Sequence, residues 1–75
     1  MTLGEIINKY DTKECATSSG DTLRSISIRL YGTFSEKTAL ILRLLNPRFD
    51  WRQLPAGERI RFIPKEAVQL FDEVR

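Results

Sequence analysis

Seventy-five residues, 41% of them apolar and 29% charged, make a chain able to fold around one small core but too short for a second domain or a large enzyme architecture. A single cysteine, Cys15, and no histidine exclude an intrachain disulfide, a Cys/His zinc site and histidine-based catalysis. The formal net charge of +2 is unevenly spread: residues 22–65 hold nine basic side chains against three acidic ones, whereas residues 1–21 and 66–75 are both acidic on balance.

Met1 to Gly4, followed by Glu5, lacks the basic start and apolar stretch of a signal peptide, so export is not expected and cytoplasmic synthesis is. Leu3, Ile6, Ile7 and Tyr10 have helical spacing, which favours a short helix over a strand in an N-terminal arm, residues 1–13. Glu14 to Ser19 alternates weakly, with Cys15 and Thr17 on one side, and predicts a strand running into the turn Ser19-Gly20-Asp21. Asp21 or Thr22 then caps a helix over 22–31, whose apolar stripe is Leu23, Ile26 and Leu30 with Tyr31, and Gly32 closes it.

Ser35 caps a second helix, in which Leu40, Ile41, Leu44 and Leu45 make the apolar stripe and Asn46-Pro47 makes the stop. The longest apolar run, Ala39 to Leu42, ends at Arg43 and is far short of the roughly 20 residues that span a bilayer, so no membrane is expected. Residues 48–57, with Pro55 and Gly57, predict a loop. Glu58 to Ile63 predicts a second strand, with Ile60 and Phe62 facing the core, Arg59 and Arg61 facing outward, and Pro64 ending it. Ala67, Val68, Leu70, Phe71 and Val74 give a short amphipathic, helical extension over 65–75. The expected class is α+β, a βααβ domain over 14–64 with two helices packed on a two-stranded antiparallel sheet.

Gly20-Asp21-Thr22-Leu23, Ile26, Tyr31-Gly32, Asn46-Pro47, Leu54-Pro55-Ala56-Gly57 and Ile60-Arg61-Phe62, in this order and spacing, resemble the lysin-motif (LysM) domain over residues 14–64. One departure is Ile63, which stands between Phe62 and Pro64 where the family's proline usually follows directly. Many members of that family bind N-acetylglucosamine polymers of peptidoglycan or chitin. The resemblance would put sugar against Gly20, Asp21, Thr22 and the stretch after Asn46, with Phe49 and Trp51 stacking on it. Another branch, tail protein X, consists of small single-domain structural proteins of phage tails and related contractile injection machines. This sequence looks more like that branch, given Tyr31-Gly32, the Asn-Pro and Leu-Pro-x-Gly spacing, and the lack of export, repeats or a joined hydrolase. The resemblance therefore implies a baseplate connector joining hub, spike or tube to surrounding proteins, assembled into the virion from the host cytoplasm.

Arginine is favoured where planar contacts to carboxylate or phosphate are made. The expected partner interface is Arg59 and Arg61 with Phe49, Trp51 and Arg52 of the preceding loop, joined by Leu70 and Phe71 of the extension. Both terminal segments are expected to dock on neighbouring subunits, the alternative being that one folds back to cover the small sheet. Arg43, Arg48, Arg52, Arg59 and Arg61 beside Phe49 and Trp51 also resemble a single-strand nucleic-acid surface, disfavoured by the acidic ends. The bland reading of each remains in view: Asp21 as a turn and cap residue, Trp51 as a lid on the core, Cys15 as a small buried hydrophobe. With no histidine to activate Cys15 and no phosphate loop, neither enzymatic activity nor a cofactor is expected.

Overall fold

The computed structural model describes residues 1–72 of the chain. In chain order its elements are α1 (Leu3–Tyr10), β1 (Lys13–Ala16), α2 (Leu23–Tyr31), α3 (Glu36–Leu45), β2 (Arg59–Phe62) and α4 (Lys65–Val68). β1 and β2 pair antiparallel, with Lys13 opposite Phe62, Glu14 opposite Arg61, Cys15 opposite Ile60 and Ala16 opposite Arg59. α2 packs on α3 and α3 packs on β2, which is the expected α+β arrangement of two helices and a two-stranded sheet. Among the described residues no helix is long and apolar enough to cross a membrane.

The helices start where side-chain oxygens replace missing backbone partners. Thr2, Thr22 and Ser35 each accept the amide three residues on, and Glu5, Ser25 and Thr38 reach back to the cap amide in return. Thr22, rather than Asp21, is thus the cap of α2. Gly32 ends that helix at φ 76°, a left-handed angle that a β-carbon disfavours. Asn46, held out of helical angles by Pro47, ends α3.

Two apolar clusters share α3 as a common wall. Leu23, Ile26, Tyr31, Ala39, Leu42 and Ile60 form the first, between the two central helices and the sheet, with Cys15, Phe62, Trp51 and Leu54 packed against it. Ile6, Ile41, Ile63, Ala67 and Phe71 form the second, on the opposite side of α3. A helix lined on two sides departs from the single stripe read from the sequence, and so Leu44 is 51% exposed while Leu42 is fully buried. The hydroxyls of Ser27 and Thr38 meet at 2.7 Å between α2 and α3, so this buried polar pair is satisfied.

The second cluster corrects the expectation that the terminal segments reach outward to neighbours. α1 and the chain after Pro64 fold back together, burying Ile6, Ala67 and Phe71 against Ile41. The main chains of the two ends join as well: the Asp72 amide donates to the Met1 carbonyl at 3.0 Å, and the Met1 ammonium to the Leu70 carbonyl at 2.7 Å. That ammonium also pairs with the Asp72 carboxylate at 2.7 Å, holding the carboxyl below its ordinary pKa. The expected helical extension is a single turn, α4, followed by two tight turns in which Leu70 and Phe71 donate three residues back to Ala67 and Val68. Val74 lies outside the described residues. Ile63, the residue that departs from the LysM pattern, is the joint between the two layers. Its side chain is buried in the second cluster while its carbonyl accepts the Tyr31 hydroxyl at 3.1 Å. Burial pushes the Tyr31 phenol up to about 12.

Candidate functional site

The turn into α2 is closed by the Asp21 amide donating to the Ser18 carbonyl at 3.1 Å, with Gly20 at φ 83°. Asp21 then works inward. Its carboxylate accepts from the Ser18 amide at 2.8 Å, the Ser25 hydroxyl at 3.1 Å and the Arg29 guanidinium at 2.5 Å, and only 8% of its side chain is exposed. The Arg29 hydrogen bond, with the Ser18 amide behind it, holds the carboxyl below its ordinary pKa. Thr22 is engaged in its capping box, so the polar groups of the Gly20, Asp21 and Thr22 stretch serve the turn and the helix start.

Asn46 is 4% exposed. Its side-chain amide donates to the Leu42 and Arg61 carbonyls, both at 2.9 Å, and its carbonyl accepts the Arg61 amide at 2.8 Å. Across this edge of β2, Asn46 takes the place a third strand would occupy. Thr17 does similar work at the far end of β1, accepting the Glu58 amide on its hydroxyl at 2.9 Å and donating that hydroxyl to the Pro55 carbonyl at 2.6 Å. The turn and the end of α3 therefore come as neighbours of a rigid scaffold, with their polar side chains already partnered inside it.

The 47–58 loop carries the aromatic pair. Phe49 and Trp51 meet edge to face, centroids 6.2 Å apart and planes at 68°, and Trp51 packs on the first cluster. The Arg48 guanidinium sits 5.4 Å above the Phe49 ring. Arg52 is held by Asp50 at 3.3 Å with 92% of its side chain exposed, and the Arg52 amide and guanidinium keep the Asp50 carboxyl below its usual range.

The outer face of the sheet is open. A cleft of about 480 Å³ lies there, lined by Glu14, Leu45, Asn46, Pro47, Arg48, Arg59 and Arg61. Arg59 and Arg61 alternate with the buried Ile60 along β2 and so share this face. Glu14 lies 3.7 Å from Arg59, with both side chains at least half exposed, a pairing that is worth little in water.

Seven residues read from the sequence as a partner interface thus separate. Arg59 and Arg61 line the cleft, Arg52 stands apart on the loop, and Phe49 with Trp51 makes a ring pair seated on the core. Phe71 is a correction: at 5% exposure it fills the second cluster, because residues 65–72 fold back, and half-buried Leu70 packs beside it. Cys15 is half-buried, not fully enclosed, and burial raises its thiol pKa. Arg43 lies on the exposed last turn of α3, where a cation complements the helix dipole. The sequence reading missed Glu14, Leu45 and Pro47 as cleft residues. The signal that places Glu14 there is strand register, which pairs it with Arg61. Comparisons of this chain with protein families, with curated proteins and with solved structures return no match.

Proposed function

We propose that this chain is a structural protein of a phage tail baseplate or a related contractile injection machine. In this reading it is a LysM-like connector of the tail protein X kind, joining hub, spike or tube to surrounding wedge proteins in the virion. One observation carries the reading: the residues that a sugar would need are engaged in holding the fold, while the arginines of β2 face solvent. Asp21, Thr22 and Asn46 all have internal partners, whereas the Arg59 side chain is 77% exposed and Arg61 has no acidic partner among the described residues. An exposed arginine face on a scaffold braced from both ends suits contact with another protein. The fold is small, with extents of 33 × 22 × 21 Å, a size that suits insertion between larger subunits. No catalysis, cofactor or membrane enters this reading.

Incorporation is the test. Flanking genes that encode tube, hub or sheath proteins would identify the particle, and the wild-type chain should then co-sediment with those tails. Arg59→Glu with Arg61→Glu should leave the circular dichroism of the isolated chain unchanged and remove it from the sedimenting particles. A wild-type chain that never enters a particle overturns the proposal.

A further inference from the structure

The cleft on the outer face of the sheet has a geometry more specific than a basic patch. We infer that it docks an extended acidic segment of a partner protein, one that carries carboxylates at alternate positions. The inference rests on the connector reading for the partner's being a protein, and it adds the partner's chemistry and conformation.

The spacing comes from the strand. Arg59 and Arg61 lie two residues apart on one face of β2, a separation of about 6.6 Å at the rise of a strand. An extended peptide laid along β2 repeats its side chains with the same period, so carboxylates at i and i+2 meet both guanidiniums in one register. A helical segment brings side chains at i and i+4 to about 5–6 Å, a similar distance, so the extended register is read from the comparison of alternating with adjacent carboxylates.

The orientation of Arg61 is fixed by what binds its backbone. Both its amide and its carbonyl are taken by Asn46, so neither bonds across to β1, and Glu14 and Arg61 form a non-hydrogen-bonded pair. In such pairs the opposed side chains lie close on one face, so Glu14 shares the cleft with Arg59 and Arg61 and offsets part of their charge. Three arginines there, Arg48, Arg59 and Arg61, face one glutamate, Glu14, whose nearest guanidinium is that of Arg59 at 3.7 Å. The cleft thus carries positive charge unanswered within the described residues. Its floor is polar but saturated, because Asn46 already uses its amide groups internally. Leu45 and Pro47 offer an apolar wall for the aliphatic stems of the incoming residues. Guanidinium forks with carboxylate partners are the strong contacts such a site can make.

A nucleic acid fits less well. Single-strand binders present ring faces for successive bases and a basic track along the backbone. Here Phe49 and Trp51 engage one another at 68° and Trp51 is seated on the core.

The experiment is an NMR titration of the ¹⁵N-labelled chain at low salt, about 20 mM, where exposed charges are least screened. Two end-capped peptides of identical composition are compared, Thr-Glu-Thr-Glu-Thr and Thr-Glu-Glu-Thr-Thr, alongside a short oligothymidylate. The alternating peptide should shift the Arg59 and Arg61 amides and bind roughly three- to tenfold tighter than the adjacent one. Arg59→Ala with Arg61→Ala should cost about tenfold, and Arg59→Lys with Arg61→Lys should fall between, while Arg24→Ala, at an exposed position of α2 outside the cleft, should change nothing. Equal binding of the two peptides, no saturable binding of either, or insensitivity to the double alanine change overturns the inference. Tighter binding of the oligothymidylate overturns it in favour of nucleic acid. Peptide binding by a chain that never enters tail particles would leave the cleft assignment standing and remove the connector reading; entry without peptide binding would do the opposite.

Discussion

Asn46 holds Arg61 by both of its backbone polar groups, accepting its amide at 2.8 Å and donating to its carbonyl at 2.9 Å. A third bond from the same side chain reaches the Leu42 carbonyl at the end of α3, so one amide ties helix and strand together at a buried position. Asn46→Ala leaves the Arg61 amide and carbonyl without partners at this edge. Each such loss costs about 1–3 kcal/mol, so a destabilisation of roughly 2–6 kcal/mol is expected. A core of this size supplies about 3–5 kcal/mol, so urea denaturation should find the midpoint sharply lowered, with part or all of the variant unfolded in buffer. A midpoint equal to wild type would show that Asn46 is dispensable for the fold.

Asp21 makes the stability of the turn depend on pH. Its carboxyl is held below the ordinary value by Arg29 and the Ser18 amide, so the folded chain favours the ionised form more than the unfolded chain does. The contribution is complete above the unfolded pKa, about 3.9, and is lost as pH falls through the lower folded value. Melting curves from neutral to acid pH should therefore show Asp21→Asn less stable than wild type at pH 7, with the gap closing below about pH 4. Glu5, Asp50 and Asp72 are held low too, by Thr2, by the Arg52 amide and by the Met1 ammonium, and they titrate alike in both proteins, so the difference isolates Asp21. A constant gap across that range would show that the Arg29 contact does not favour the ionised carboxylate.

Local chemistry made much of the fold legible. Gly32 closes α2, Ser35 opens α3, and the alternation of Arg59, Ile60, Arg61 and Phe62 separates core from solvent as the strand period requires. Relations between distant residues were not legible. The Asn46-Pro47 pair reads as a helix stop, yet the binding of Asn46 to Arg61, fifteen residues on, depends on how α3 lies across the sheet. An apolar stripe likewise says that a face is buried but not how many neighbours a helix has, which is why Leu44 was misplaced and the shared wall of α3 was missed. Of the cleft, Arg59 and Arg61 follow from period alone, while Glu14 needs the register and Arg48 the path of the loop.

Phe71 tests whether the folded-back ends are part of the stable structure. Truncating a buried phenylalanine typically costs about 3–5 kcal/mol, and at Phe71 the cavity would open among Ile6, Ile41, Ile63 and Ala67. In the isolated wild-type chain, hydrogen exchange should find the amides of Ile6 and Asp72, which donate to Thr2 and Met1 carbonyls, well protected without any partner. In Phe71→Ala those amides should approach the free-chain rate. Rapid exchange at both sites in the wild type would return the ends to the role of assembly arms.

Cys15 should be a slow thiol. It lies on β1 opposite Ile60, packs on the first cluster, and has its pKa raised by burial, so the nucleophilic thiolate is scarce at neutral pH. Alkylation by iodoacetamide at pH 7.5 should run roughly tenfold or more slower in the folded chain than in urea. Equal rates would mean that the sheet leaves the sulfur open.

The sugar-binding alternative makes the sharpest opposing claim, and the polar groups of the turn decide the expectation. A lysin-motif sugar site built on Gly20, Asp21, Thr22 and the stretch after Asn46 needs polar groups free to turn outward. Here Asp21 binds Ser18, Ser25 and Arg29, Thr22 closes its capping box, and Asn46 is saturated. Freeing Asp21 for a sugar hydroxyl trades an ion-paired hydrogen bond from Arg29 for one from a neutral donor and leaves the Ser18 amide and Ser25 hydroxyl without their acceptor, an exchange that opposes binding. Phe49 and Trp51 are engaged edge to face, and Trp51 also packs on the core, so turning either ring flat against a sugar disturbs packing that already exists. Calorimetric titration with chitin oligomers and soluble peptidoglycan fragments should therefore give dissociation constants weaker than about 1 mM. A constant tighter than about 100 μM, corresponding to roughly 5.5 kcal/mol, would mean that the turn gives up its internal partners to sugar and would put glycan binding ahead of the connector role.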